Sequence, residues 1–291
     1  MTNARTHARA HTHTHPCAAW WPNILKTLKD FNCPRNLYYM TRSYFQSKKA
    51  AMSTNTIQVE REVSKGCPRG SCCGPGFWNI QYNSLLNLEF MKQTKAIAFA
   101  DDLLIAMKAE SIREAENITN IDMNKISMWA RNNKINFNEQ KSKVMVISRR
   151  KRGKNKEISV YMNNKLLEQV KKIKYLGIII DSKLNFREHV LYVSNKCTKL
   201  IHALSKSAKQ QWGLRHAALY TIYKGAILPL LLLGAPVWIE ALDKESNKTG
   251  YNRVQRLINI KIAKAFRTTC NEALCRGSGQ IIQHYEEKSS P

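Results

Sequence analysis

The chain has 291 residues, 43% hydrophobic and 9% aromatic, enough for one large or two modest folded domains. A wholly disordered chain is excluded. Its 47 Lys and Arg against 21 Asp and Glu leave a formal net charge of +26. That excess points to a polyanion, nucleic acid ahead of membrane, because no amphipathic segment gathers the charge onto one face. Eight Cys without a C-x-x-C pair do not make a disulfide scaffold, so reduced thiols in an intracellular protein are expected. The longest apolar run, 225–239, contains Pro229, Gly234 and Pro236. It falls short of the roughly 20 residues a membrane span needs, which predicts a buried helix and a turn.

Residues 1–15 draw almost entirely on Ala, Arg, Thr and His, ending in His11-Thr12-His13-Thr14-His15. Clustered His suggests adventitious metal binding, whereas the alternation of His-Thr and Ala-Arg matches translation of a CA/CG nucleotide repeat. The second reading explains more of the segment and predicts disorder. From Trp20 the composition becomes globular. Pro22 to Leu28 opens a helix with Ile24, Leu25 and Leu28 on one face, and 36–45 continues helical. Ile57, Val59, Arg61 and Val63 alternate as a short strand over 56–63. A dense turn cluster, 66–76, then opens a helix carrying Phe77, Ile80, Tyr82, Leu85 and Leu86.

Ala96 to Ala100 reads as an apolar strand that meets Asp101 and Asp102 and resumes over Leu103 to Met107, a tight hairpin. Ser111 and Glu114 have capping-box spacing, and the helix they open places Ile118, Ile121, Ile126 and Trp129 near one face. Strands follow at 144–147, 158–162, 165–170 and 174–181. Between the first two, Arg149 to Lys156 is a basic loop with six cations in eight residues. Duplex phosphates, a nuclear import signal and plain solvation all suit such a loop. From Arg187 to about Arg267 the pattern is helical, and the last twenty residues read as a frayed polar tail.

Adjacent carboxylates at a hairpin tip repel each other, and an apolar strand offers them no partner. A divalent cation with a phosphate substrate resolves the conflict, and a solvated Asp-Asp turn is the bland alternative. Context decides between them. Phe99-Ala100-Asp101-Asp102 resembles the aromatic-Ala-Asp-Asp box of reverse transcriptases. Gly66-Cys67-Pro68-Arg69-Gly70-Ser71 resembles their Pro-Gln-Gly loop, and Asn138 to Val144 the following motif with its Lys, here Lys141. Lys174-Tyr175-Leu176-Gly177, with Asp181 and His189, resembles the hairpin that grips the primer end and its continuation. Four motifs in order identify the chain as similar to the reverse transcriptases of non-LTR retrotransposons, from about Trp20 to about Cys275.

The resemblance implies an α+β fold, a partial palm of antiparallel sheet and helices followed by a mainly helical thumb. It divides the chain into a low-complexity segment at 1–17, palm at 18–185, thumb-like helices at 186–270 and a tail at 271–291. It implies RNA-directed DNA synthesis on an RNA template and DNA primer from deoxynucleoside triphosphates, with two Mg²⁺ or Mn²⁺ ions roughly 4 Å apart. Asp101 and Asp102 would hold metal, and Lys141 would neutralise pyrophosphate. Gly66, Pro68, Arg69, Gly70 and Phe99 would contact nucleotide and template, and Tyr175, Leu176 and Gly177 would grip the primer.

Two departures qualify this. The family's first catalytic carboxylate lies on a strand just ahead of the first palm helix, yet no Asp or Glu occurs here before Asp30, which lies past that helix. Arg69 stands where the family usually has Gln. A missing metal-bridging carboxylate costs at least the 10²–10³-fold of a lost transition-state donor. The sequence therefore predicts a polymerase by descent without polymerase activity. A non-catalytic nucleic-acid-binding remnant and an unstable open reading frame, with an open sheet edge where the first palm strand belongs, are the alternatives.

Overall fold

The structure, a computed structural model, describes residues 5–9, 19–53, 58–67, 70–148, 157–207 and 215–278. The chain divides between Lys171 and Lys172 into two compact units, a boundary that falls ahead of the one expected after residue 185.

The first unit packs helices on one face of a small sheet. Its elements are β1 (Arg5–Arg9), α1 (Trp21–Asp30), α2 (Arg35–Phe45), β2 (Lys49–Ser53), β3 (Gln58–Glu62), α3 (Gly74–Leu86), β4 (Thr94–Phe99) and β5 (Asp102–Lys108). There follow α4 (Ile112–Asn132), β6 (Lys143–Ile147) and three two-residue strands, β7 (Tyr161–Met162), β8 (Lys165–Leu166) and β9 (Glu168–Gln169). The main sheet runs β4-β5-β1-β6-β9, antiparallel except for the β6–β9 pair. Leu103, Ile105 and Met107 of β5 point to the buried face with Ile118, Met123 and Ile126 of α4. Each such side chain contributes about 1.5–3 kcal/mol by leaving water.

β1 corrects the reading of the N-terminal segment. Residues 5–9 are not disordered: they form a strand seated between β5 and β6 and paired to both, Ala8 lying opposite Ile105 on one side and Val144 on the other. Low hydrophobicity does not prevent this, because two unpaired strand edges offer every backbone N–H and C=O of a short segment a partner. The edge expected to be open is closed there. The His-rich residues 10–18 lie outside the described residues, as does the basic loop at 149–156.

Other local readings need adjustment. The strand expected over 56–63 is β3, paired with β2 in a ribbon whose side chains are all exposed, so its alternation marks no core face. Ile121 is 45% exposed, off the buried stripe of Ile118, Ile126 and Trp129. Ser111 caps α4 as expected, accepting from the Glu114 N–H at 3.1 Å, but Glu114 reaches back to the N–H of Glu110 rather than of Ser111.

The second unit begins with the hairpin β10 (Lys172–Tyr175) and β11 (Ile178–Asp181), where the residue pattern alone reads as one strand over 174–181 and the family resemblance implies a turn. Helices follow: α5 (Arg187–Ser207), α6 (His216–Ile222), a π-turn (Tyr223–Ile227), α7 (Leu228–Leu232), α8 (Ala235–Trp238), a 3₁₀ turn (Ile239–Asp243), α9 (Glu245–Ile262) and α10 (Asn271–Ser278). The apolar run is buried through Ile227, Leu231 and Trp238 and breaks at Gly234. Among the described residues no single helix is long and apolar enough to cross a membrane; the stretches 216–232 and 235–243 pass only as a pair bent by 41°. α10 replaces the front of the expected frayed tail, anchored by the buried Leu274.

Candidate active site

The carboxylate hairpin turns one residue earlier than the sequence suggests. Phe99 pairs with Asp102, which leaves Ala100 and Asp101 as the two-residue turn. Ala100 sits at φ 51°, a left-handed conformation that costs a residue with a Cβ about 1 kcal/mol. What holds it is Trp78, a buried α3 residue whose indole Nε1 donates to the Ala100 carbonyl at 2.8 Å. Trp78 in turn stacks on Tyr82, ring centroids 5.0 Å apart, and Tyr82 meets Trp129 edge-on at 5.8 Å. The sequence reading missed Trp78, although the spacing of Trp78, Tyr82 and Leu85 is a helical core stripe that identifies it.

The alternation of β5 decides which face Asp102 takes. Leu103, Ile105 and Met107 face the helices, so Asp102 shares the opposite face with Leu104 and Ala106. The β4 partners on that face, Lys95, Ile97 and Phe99, are exposed, Phe99 at 61%. A carboxylate with an exposed aromatic directly across the ladder is an open platform on which a base or sugar can rest. Asp101 and Asp102 are both half-buried and both engaged in interactions within the fold.

The register brings Lys141 to the same end of the sheet. Ile105, Ala8 and Val144 lie side by side, and Asp102 and Lys141 each precede their member of that row by three residues. Two strand spacings separate their strands, about 10 Å. Lys141 is exposed at the end of a turn organised by Asn138, whose Oδ1 accepts from the Lys141 N–H at 3.1 Å and whose carbonyl accepts from Ser142 Oγ at 2.8 Å.

The glycine loop is fixed at both ends. Gly66 donates its N–H to the Ala19 carbonyl at 2.6 Å, and its own carbonyl accepts from Trp21 Nε1 at 2.7 Å, tying the loop to the start of α1. At the other end Ser71 Oγ accepts from the Gly74 N–H at 3.0 Å and begins α3. Gly66 and Gly70 take φ 99° and 80°, and a Cβ at Gly70 would meet nothing within 4 Å, so backbone conformation rather than crowding calls for glycine there. Pro68 and Arg69 lie outside the described residues. Since Gly74 precedes Trp78 by four residues, the loop enters α3 about 6 Å along the helix from the indole that grips the carboxylate turn.

Tyr175, Leu176 and Gly177 form the tip of the β10–β11 hairpin, in the second unit, with Leu176 and Gly177 both at positive φ, 45° and 87°. A Cβ at Gly177 would lie 2.9 Å from Leu233 Cδ2, and one at Gly234 would lie 2.3 Å from Ile178 Cδ1. The hairpin and the break in the apolar run thus interlock through two glycines. Asp181 closes the hairpin onto α5, accepting from the N–H groups of Lys183, Asn185 and Phe186 at 3.0, 3.2 and 2.7 Å. The buried His189 accepts from the Ile179 N–H on Nδ1 at 3.2 Å. Burial pushes this imidazole below its ordinary pKa. Both residues are therefore supports of the hairpin.

Known proteins are similar to this chain in sequence. A family model for reverse transcriptase (RNA-dependent DNA polymerase) matches residues 18–180. A putative 115 kDa protein in type-1 retrotransposable element R1DM of Drosophila melanogaster is 27% identical over 254 residues, 87% of this chain and 24% of the relative. A retrovirus-related Pol polyprotein from type-1 retrotransposable element R1 of Bradysia coprophila is 26% identical over 254 residues, 87% of this chain and 25% of its own length. A further R1 Pol polyprotein, from Nasonia vitripennis, is 27% identical over 212 residues, 72% of this chain and 52% of its own. The chain spans about a quarter of the first two and about half of the third.

Proposed function

Since the chain belongs to the reverse transcriptase (RNA-dependent DNA polymerase) family, in the branch carried by non-LTR retrotransposons, we propose that it holds an RNA template and DNA primer without extending the primer. In this reading the first unit is the palm and the helices of the second are the thumb. Phe99 and the open face of β4 and β5 lie under the primer end, Gly66 to Gly70 pass beside the template, and Tyr175 to Gly177 touch the primer strand. Lys141 and the wider basic surface neutralise phosphates, for which no metal site is needed.

The observation that carries the loss of chemistry is the strand beside β5. By resemblance that place belongs to the strand with the first catalytic carboxylate. Arg5–Arg9 fills it with Arg-Thr-His-Ala-Arg, which has no acid. Among the described residues no three His, Cys, Asp or Glu side chains converge on a point. Mg²⁺ demands near-octahedral oxygen ligands, and a pair of such ions needs a carboxylate to bridge them. Asp101 and Asp102 alone do not fit a two-ion centre.

Binding of a labelled RNA–DNA duplex, measured with and without divalent cation, tests the proposal. Affinity that falls steeply with salt, ignores chelator and survives Asp101→Asn with Asp102→Asn supports it. Affinity that needs the metal or the two carboxylates contradicts it.

A further inference from the structure

A second basic feature lies wholly within the helical unit. α9 buries Tyr251, Val254, Ile258 and Ile262 on one side. On another side Arg253, Leu257, Ile260, Lys261 and Lys264 recur at helical spacing and line a cavity of about 850 Å³ against α5 and the segment 263–267. Among the described residues the lining includes Arg267 and Phe266 and contains no carboxylate. Among the described residues Arg253, Lys261, Lys264 and Arg267 have no ion-pair partner. Phe266, the most exposed of the large apolar side chains among the described residues, is 74% exposed at the rim.

The rim is held in place by Arg256, which also lines the cavity but turns its guanidinium to the protein. Arg256 donates to the carbonyls of Arg267 and Thr269 at 2.7 and 2.9 Å and to Asn271 Oδ1, clamping the 263–270 segment to α9. The helix ends on Lys264 at φ 50°, with the Ala265 N–H reaching the Ile260 carbonyl at 3.0 Å. Glycine is the cheapest residue at such a left-handed helix end. The cation there costs backbone energy, and Lys261 one turn earlier already answers the negative end of the helix dipole.

We infer that this groove binds single-stranded nucleic acid, with Arg253, Lys261, Lys264 and Arg267 on successive phosphates and Phe266 stacked on an unpaired base. The floor formed by Leu257 and Ile260 suits a sugar or base face. A single strand is favoured over duplex because a duplex keeps its base faces stacked on one another, which leaves Phe266 nothing to meet. An acidic protein segment would satisfy the cations and leave the aromatic unused. The inference rests only on the polyanion-binding part of the proposed function and not on Asp101 or Asp102.

The test is fluorescence anisotropy of a labelled short oligouridylate on the full chain. Phe266→Ala should weaken binding about tenfold without changing the salt slope, and Phe266→Trp should restore it. Lys264→Gly should weaken binding and reduce the salt slope by about 0.7. The same substitution should raise the melting temperature, so misfolding cannot explain the loss. The pair Asp101→Asn/Asp102→Asn should leave oligouridylate binding unchanged, which separates this inference from the fate of the polymerase reading. Unaltered affinity in Phe266→Ala, an equal loss on duplex, or equal competition by polyglutamate would overturn it.

Discussion

Trp78 Nε1 and the carbonyl oxygen of Ala100 are 2.8 Å apart, and this one hydrogen bond joins the helix behind the glycine loop to the turn that carries Asp101. The turn pays for its tightness with a left-handed alanine. Ala100→Gly should therefore stabilise the chain by about 1 kcal/mol. Trp78→Phe removes the donor of this part-buried hydrogen bond and should destabilise the chain by about 0.5–1.5 kcal/mol, before any loss of packing. Urea midpoints that move in these opposite senses at constant m check both.

The place of β1 makes a second prediction. Removing residues 1–17 strips one neighbour from each of β5 and β6 and exposes two strand edges in the middle of the sheet. The shortened chain should associate or precipitate at concentrations where the full chain scatters little light. A shortened chain that stays monomeric and melts at the same temperature would show that β1 contributes nothing.

Gly177 and Gly234 should resist substitution for two reasons each. A methyl group collides with Leu233 or Ile178, and both positions have positive φ. Gly234→Ala, where the methyl would crowd both Cδ1 and Cγ1 of Ile178, should cost about 2 kcal/mol or more, with Gly177→Ala milder because only Leu233 Cδ2 lies close there. Gly70→Ala is the control: it carries the φ cost alone, since nothing lies within 4 Å.

Acidification should weaken the second unit through His189. Burial lowers its pKa in the folded state, while the unfolded imidazole titrates near its ordinary value of about 6.5. The unfolded chain then binds more protons than the folded one as pH falls. The stability this residue contributes is complete above about 6.5 and is lost as pH drops through that value toward the lowered folded one. His189→Gln keeps an acceptor for the Ile179 N–H without the titration, so its midpoint should vary less between pH 7 and pH 5 than that of the parent chain.

Much of the site was legible where local chemistry and tertiary demand agree. The carboxylate hairpin announces itself by two apolar runs around two acids, and Ser111 by its spacing from Glu114. Lys141 enters the candidate site only through a motif, since nothing in one exposed lysine sets it apart. β1 was illegible for a physical reason: Arg-Thr-His-Ala-Arg has no hydrophobic alternation, and it is a strand because two edges need it. The exposed ribbon of β2 and β3 misleads in the opposite sense, since alternation of Val59 with Arg61 there buries neither. α10 shows the same dependence on context, a polar segment ordered around Leu274.

The most direct measurement of the central claim is primer extension by the purified chain on an RNA template with Mg²⁺ or Mn²⁺, beside the Asp101→Asn/Asp102→Asn pair. The account predicts no elongated product from either protein while both still bind the primed template. Product made by the parent chain and absent from the paired substitution would contradict it, and would mean that a carboxylate from elsewhere completes the centre that β1 leaves short.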